Sequence, residues 1–356
     1  MLKNLSIVLM AVMLFWGCRS NGSVNNNLIE KNNFLKKETD LIYKSMKNFP
    51  NKVQLSIAKI KNGTVFYYGV KKNSSSINII DNQEKAFMVG SISKLFTSTL
   101  LAQMVEDNKI ALDDNIEENL PYKLNNDIEI SYKQLANHTS GISDESTKIF
   151  EESDRYNDLS YKDIADYLEH NLSLAVAQNS YQYSNFAVGA LGYMLSHIEN
   201  KSYEALLQER IFSKLDMNNS TSIRKNIKNL VPALMENDDP VPFGFKSAGG
   251  ILSTVEDLYA FSLASFSDLP EVLLIQKETF KIDDTLSIGL GWHIFTDFES
   301  KLKFYFHSGE TEGYRSVLIL DKENQNGIII LSNLPNSVEE HPIMDLGKDL
   351  MTELIK

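Results

Sequence analysis

The chain has 356 residues, 43% hydrophobic and 23% charged, which is enough apolar material for one large domain or two interlocked ones with proper cores. A formal net charge of -12 at pH 7, with no cluster of Lys and Arg, argues against a nucleic-acid partner, because neutralising phosphates requires such clusters. One cysteine, Cys18, rules out an intrachain disulfide.

The chain opens on an early lysine and an apolar run, 5–16, followed by Gly17-Cys18. A run of that length falls short of the roughly 20 residues a spanning helix needs, but it suits a secretory h-region. A lone cysteine at that position resembles a bacterial lipoprotein signal, although Phe15-Trp16 is bulkier than the usual residues there. The expectation is a signal peptide over 1–17, lipidation of Cys18 and a membrane-anchored protein facing the periplasm or cell surface. Two or more acyl chains at ~0.8 kcal/mol per buried methylene make a stable anchor. Residues 18–34 are polar and asparagine-rich, and read as a flexible tether.

The next elements follow from periodicity. Leu35, Leu41, Ile42 and Met46 share a helical face before Pro50. Segments 53–60 and 64–70 read as strands joined at Asn62-Gly63, a strong hairpin signal. Helices are expected over 92–107, 161–172, 184–199, 203–212 and 254–265, with Pro121, Pro232, Pro240 and Pro242 as breakers. Strand patterns return at 289–295, 303–309, 314–320 and 327–333, with a turn at Asn326-Gly327, and a last helix spans about 338–355. Strands at both ends and helices between imply an α+β fold: an antiparallel sheet built from about 35–85 and 286–356 with flanking helices, and an inserted, mostly helical part over about 86–285. The domain as a whole spans 35–356.

Ser-x-x-Lys occurs four times, at Ser56/Lys59, Ser91/Lys94, Ser222/Lys225 and Ser300/Lys303. A serine becomes a good nucleophile only when a base takes its proton, so the lysine must share its face. Residues three apart do so on a helix and not on a strand, which sets Ser56/Lys59 aside. Ser222/Lys225 lies in a polar segment, and Ser300/Lys303 flanks a turn. Only Ser91/Lys94 heads an amphipathic helix, backed by Leu95, Phe96, Leu100, Leu101, Met104 and Val105. Its N-terminal N–H groups would favour a developing oxyanion. The six histidines show no metal-ligand spacing, so no metal and no cofactor are expected. Gly-x-Ser-x-Gly is absent.

Downstream come Tyr183-Ser184-Asn185 and His307-Ser308-Gly309, then Glu310. Ser-x-x-Lys, Tyr-x-Asn and Lys- or His-x-Gly in this order resemble the penicillin-recognising serine hydrolases: class C-type β-lactamases, D-alanyl-D-alanine carboxypeptidases and related esterases. The blocks at 135–142, 247–261, 289–292 and 313–316 agree, so the likeness runs from about residue 35 to the end. It implies an acyl-enzyme on Ser91, with Lys94 and Tyr183 handling its proton and either one able to serve as the base. It also implies that Asn185, His307, Ser308, Gly309 and Glu310 bind substrate, with the Ser91 and Glu310 amides as oxyanion donors. The implied partners are D-Ala-D-Ala peptides of peptidoglycan or β-lactams; an esterase of small acyl esters, or a non-catalytic descendant binding peptidoglycan or a protein, are the alternatives. His307 stands where the lactamases more often carry Lys, which shifts weight toward the peptidase or esterase branch. A carboxylate at Glu310 would disfavour anionic substrates. His138 reads as a loop-shaping residue and Trp292 as core.

Overall fold

Two alternating segments near the start of the chain meet two near its end, and the rest is arranged around that join. The computed structural model describes residues 24–142, 161–234, 245–297, 302–338 and 341–356. Strand β1 (Asn25–Asn26), helix α1 (Lys36–Met46) and strands β2 (Gln54–Lys61), β3 (Thr64–Lys72), β4 (Ser76–Ile80) and β5 (Phe87–Met88) lead to helices α2 (Ser93–Glu106) and α3 (Tyr132–Ala136). Helices α4 (Tyr161–His170), α5 (Asn185–Glu199), α6 (Tyr203–Leu207) and α7 (Lys246–Gly249) follow, then strand β6 (Leu252–Ser253) and helices α8 (Val255–Ser265) and α9 (Pro270–Gln276). Strands β7 (Phe280–Lys281), β8 (Leu286–Ile288), β9 (His293–Thr296), β10 (Lys303–Glu310), β11 (Arg315–Asp321) and β12 (Asn326–Ser332) precede the last helix, α10 (Pro342–Leu354).

The main sheet has the order β1-β4-β3-β2-β12-β11-β10-β9-β8-β7. The ends of the chain join where β2 pairs antiparallel with β12, Ile57 opposite Ile330. Every pairing is antiparallel except β1 with β4. The α+β architecture read from the sequence is therefore the one observed. Alternation decides the layers. Leu55, Ile57, Val317 and Ile330 face α1 and α10, packing on Ile42, Met46, Leu346 and Leu350, while Ala58, Ile60, Leu318 and Ile329 face the helical part.

Several expectations need correction. The β2–β3 turn does sit at Asn62-Gly63, both at positive φ (50° and 76°), but Asn326-Gly327 already belongs to β12, and that hairpin turns one step earlier, with Gln325 at φ 51°. Leu35 does not join the buried face of α1; it precedes the helix and is 59% exposed. The last helix begins at Pro342, whose missing N–H suits a first turn, rather than near 338. Helix α2 is not amphipathic in place. Every residue from Ser93 to Ala102 is buried, with Thr97 donating to the Ser247 carbonyl at 2.7 Å. Packing against α5, α7 and α9 covers its polar side as well.

The expected free tether over 18–34 does not hold from Val24 onward. Asn25 and Asn26 pair with Ser76 and Ile77, and the Tyr43 and Tyr68 hydroxyls donate to the carbonyls of Val24 and Ile29 at 2.7 and 2.8 Å. Phe34 is buried against Tyr68, capped by Lys59, whose ammonium is ion-paired to Glu38 at 2.6 Å. Backbone pairing to a sheet edge holds this polar stretch, which composition alone does not reveal. Residues 1–17, Cys18, Pro240, Pro242 and Ser300 lie outside the described residues.

Candidate active site

Strand β5 is held against β6, and Val89 donates to the Ile251 carbonyl at 2.9 Å. The chain then turns through Gly90 at φ 54° into a 3-10 turn, Gly90–Ile92, that feeds α2. Ile92 is the N-cap of α2 and makes no side-chain cap bond. The Ser91 hydroxyl does not cap the helix: it is bonded to Lys94 and Tyr183 instead.

Lys94, one turn on, is fully buried. Its Nζ donates to Ser91 Oγ at 3.0 Å, to Asn185 Oδ1 at 2.6 Å and to the Ala248 carbonyl at 2.7 Å, so an ammonium's three donors meet three acceptors. The same nitrogen lies 4.7 Å from the centre of the Tyr183 ring. Tyr183 donates to Ser91 Oγ at 2.6 Å. It sits two residues ahead of α5 rather than in its first turn; Ser184 is the N-cap, accepting the Ala187 N–H, and Asn185 is the first helical residue. The fold thus brings Ser91, Lys94, Tyr183 and Asn185 together. Ser56 and Lys59 point to opposite faces of β2, toward Asn82 and Glu38 respectively, and Ser222 donates to Glu204.

Strand β10 closes the site. Pairing with β11 puts His307 opposite Leu318 and Gly309 opposite Ser316, on the helical face, while Ser308 and Glu310 lie opposite Val317 and Arg315, on the α10 face. A Cβ on Gly309 would stand 2.0 Å from the Val89 carbonyl and 3.0 Å from Ser91 N; one on Gly90 would stand 2.7 Å from Glu310 N. Glycine at both positions allows this approach, which packs the backbone nitrogens of Ser91 and Glu310 around the Gly90–Gly309 contact. The expected substrate-binding residues are therefore divided. The Glu310 backbone nitrogen lies against Gly90, next to the serine, while its carboxylate lies 3.6 Å from Arg315 and 3.9 Å from His341. With Ser308 and Lys348 it lines a cavity of about 460 Å³ against α10. The carboxylate expected near the acylation site points away from it. Strand β9 pairs with β10 only as far as Phe306, so the edge at 307–310 has no partner from β9.

Three histidines stand behind Tyr183, a grouping the sequence did not suggest. His307 Nδ1 is 2.7 Å from the Ser308 carbonyl, which can only accept, so Nδ1 carries the proton and the buried Nε2 has no partner. Burial, with the charges of His293 and Lys94, pushes His307 well below the ordinary histidine range. His293, whose Nε2 contacts the Tyr181 hydroxyl at 2.9 Å, is held at about 4 by burial and by Lys94. The β9–β10 register places His293 opposite Phe306, beside His307, a neighbourhood that the sequence alone does not give. His138 is buried against Tyr183, as a loop-shaping residue should be, and Trp292 is core. Among the described residues, no three His, Cys, Asp or Glu side chains gather as metal ligands.

A largely antiparallel sheet covered by helices on both faces, with a Ser–Lys–Tyr cluster between sheet and helical part, is the architecture of the β-lactamase/transpeptidase-type fold. The chain belongs to the Beta-lactamase family, whose model matches residues 50–350. It is similar to Protein flp of Staphylococcus aureus strain MW2, 24% identical over a 308-residue alignment that covers 78% of this chain and 59% of that protein. The chain thus spans less than two thirds of the length of such curated relatives. Among solved structures, the octameric penicillin-binding protein homologue from Pyrococcus abyssi matches with a TM-score of 0.74 and 21% identity, over 90% of this chain and 77% of the other. A beta-lactamase/D-alanine carboxypeptidase from Yersinia pestis matches with a TM-score of 0.73 and 20% identity, over 89% and 96%. At such identities the likeness to these structures is one of fold.

Proposed function

We propose that this chain is a serine hydrolase that works through an acyl-enzyme on Ser91. The observation that carries this is the position of Ser91 Oγ, within hydrogen-bond reach of Lys94 Nζ and Tyr183 Oη, with the Ser91 and Glu310 backbone nitrogens packed at the adjoining glycine contact. With three acceptors around it, Lys94 suits the ammonium form, which leaves Tyr183 to take the serine proton. Once Tyr183 has released its own proton to solvent, the 2.6 Å contact runs the other way, and the lysine charge near the ring favours the phenolate. Ser91 Oγ then attacks the substrate carbonyl as its proton passes to Tyr183. The oxyanion is held by the Ser91 and Glu310 N–H groups. Collapse breaks the bond to the leaving nitrogen or oxygen, which receives the proton from Tyr183, and water releases the acyl group by the same route in reverse.

The preferred substrates are D-Ala-D-Ala peptides or β-lactams. The family supports this, as does the edge at 307–310, left unpaired by β9 among the described residues, where an extended amide can add as a strand. A second reading, an esterase of small acyl esters, is favoured by His307, whose neutral ring offers a substrate carboxylate no charge. The proposed setting is a membrane surface, with the chain anchored through Cys18. A fluorescent penicillin and a fluorescent fluorophosphonate test the core of this: both should label the wild type and neither Ser91→Ala. A protein that takes no label and turns over no ester is instead a binding descendant.

A further inference from the structure

His138 sits in a buried loop with φ 61°, in the left-handed region that non-glycine residues enter at a cost. Its ring meets the edge of Tyr181, and its closer contacts fall on the next three residues, centred on Tyr183. Its carbonyl accepts the Gln182 N–H at 2.8 Å, its ring packs on the Tyr183 ring with centroids 4.4 Å apart and planes inclined by 32°, and its Nδ1 accepts the Ser184 N–H at 3.1 Å. Ser184 is the fully buried N-cap of α5, so no earlier helix carbonyl and no bulk water can take that N–H. A ring nitrogen that accepts carries no proton. His138 therefore holds its proton on Nε2, and that atom is buried without a partner among the described residues. A phenylalanine would fill the space and leave no orphan donor, so packing does not account for an imidazole here; the Nδ1 acceptor does.

We infer that His138 is a positioning residue for the Tyr183 phenol: as the Nε2–H tautomer it fixes the backbone on both sides of Tyr183 and the plane of its ring, which sets the 2.6 Å reach to Ser91 Oγ. Protonation would place a second donor against the Ser184 N–H. Burial, and the charges of Lys94 and His293, hold His138 well below the ordinary histidine range, in keeping with the neutral form. The role rests on Tyr183 carrying the Ser91 proton.

The test compares His138→Ala, His138→Asn and His138→Phe, each alone and combined with Tyr183→Phe, by the rate of labelling with a fluorescent fluorophosphonate and by thermal midpoint. Asparagine keeps a short acceptor and tolerates left-handed backbone, while phenylalanine keeps only the ring. A misplacement of about 1 Å is worth about 100-fold, so His138→Ala should slow labelling on that order, with part of the rate recovered in His138→Asn. None of the three should slow Tyr183→Phe by more than about twofold, because the group they position is gone. Equal slowing of the wild type and of Tyr183→Phe would overturn the inference, as would wild-type labelling in His138→Phe. If His138→Ala does not fold, the other two variants carry the same comparison. A Tyr183→Phe protein that labels at the wild-type rate would instead remove Tyr183 from the mechanism, and His138 with it.

Discussion

The Tyr183 hydroxyl lies 2.6 Å from Ser91 Oγ although 92 positions separate them in the chain, and Lys94 reaches both. Removing the phenolic oxygen should leave the fold intact and strand the serine proton. Tyr183→Phe is expected to slow acylation by about 10²- to 10⁴-fold, the usual worth of a positioned proton carrier. Lys94→Met should slow it at least as much and also lower stability, since the Asn185 and Ala248 oxygens lose their donor. Stopped-flow acylation by p-nitrophenyl acetate and by a chromogenic cephalosporin, with thermal midpoints alongside, checks both.

The two amides beside Ser91 depend on Gly309 being a glycine. A methyl there would stand 2.0 Å from the Val89 carbonyl, so Gly309→Ala must separate β10 from the Ser91 turn. Loss of one oxyanion donor predicts about 10²- to 10³-fold lower turnover. Glu310→Gln keeps its amide and alters only a side chain on the other face, so the same ester assay should change by less than about threefold, in line with the small effect of most surface changes.

Much of this was legible in the sequence because it follows local rules. Spacing on a helix separated Ser91/Lys94 from Ser56/Lys59, and strands at both ends implied that the two ends of the chain meet in one sheet, as β2 and β12 do. What was not legible depends on neighbours from distant segments. The direction of the Glu310 carboxylate follows from the β10–β11 register, the burial of α2 on all sides from helices packed around it, and the docking of residues 24–34 from an open sheet edge. The proximity of His293 to His307 likewise needs the β9–β10 pairing.

The buried histidines make stability depend on pH in one direction. His293 is held at about 4, and His138 and His307 lie well below their ordinary range, whereas in the unfolded chain each returns to about 6.5. Between those limits the unfolded state binds more protons, so this stabilisation is full above about pH 6.5 and is lost as pH falls toward 4. For His293 alone the loss is on the order of 3 kcal/mol. Urea midpoints should fall from pH 7.5 to pH 5 in the wild type and fall less in His293→Gln.

A neutral His307 gives a substrate carboxylate no charge partner. His307→Lys should raise the kcat/KM ratio of a D-Ala-D-Ala peptide over p-nitrophenyl acetate by about tenfold, the worth of one charge-assisted hydrogen bond. An unchanged ratio would mean that substrate carboxylates are read elsewhere, with the cavity at Arg315 and Lys348 as the place to look.

Anchoring through Cys18 is tested by cell fractionation. The wild type should sediment with membranes and incorporate labelled palmitate, and Cys18→Ala should do neither.

The most direct measurement is intact-protein mass spectrometry after parallel incubation with a β-lactam, a D-Ala-D-Ala peptide and a simple ester, followed by peptide mapping. The expected result is a one-acyl mass increase with at least one of the three, mapped to the peptide that carries Ser91 and absent from Ser91→Ala. An adduct that persists in Ser91→Ala, or no adduct and no turnover with any of the three, would contradict an acyl-enzyme on this serine.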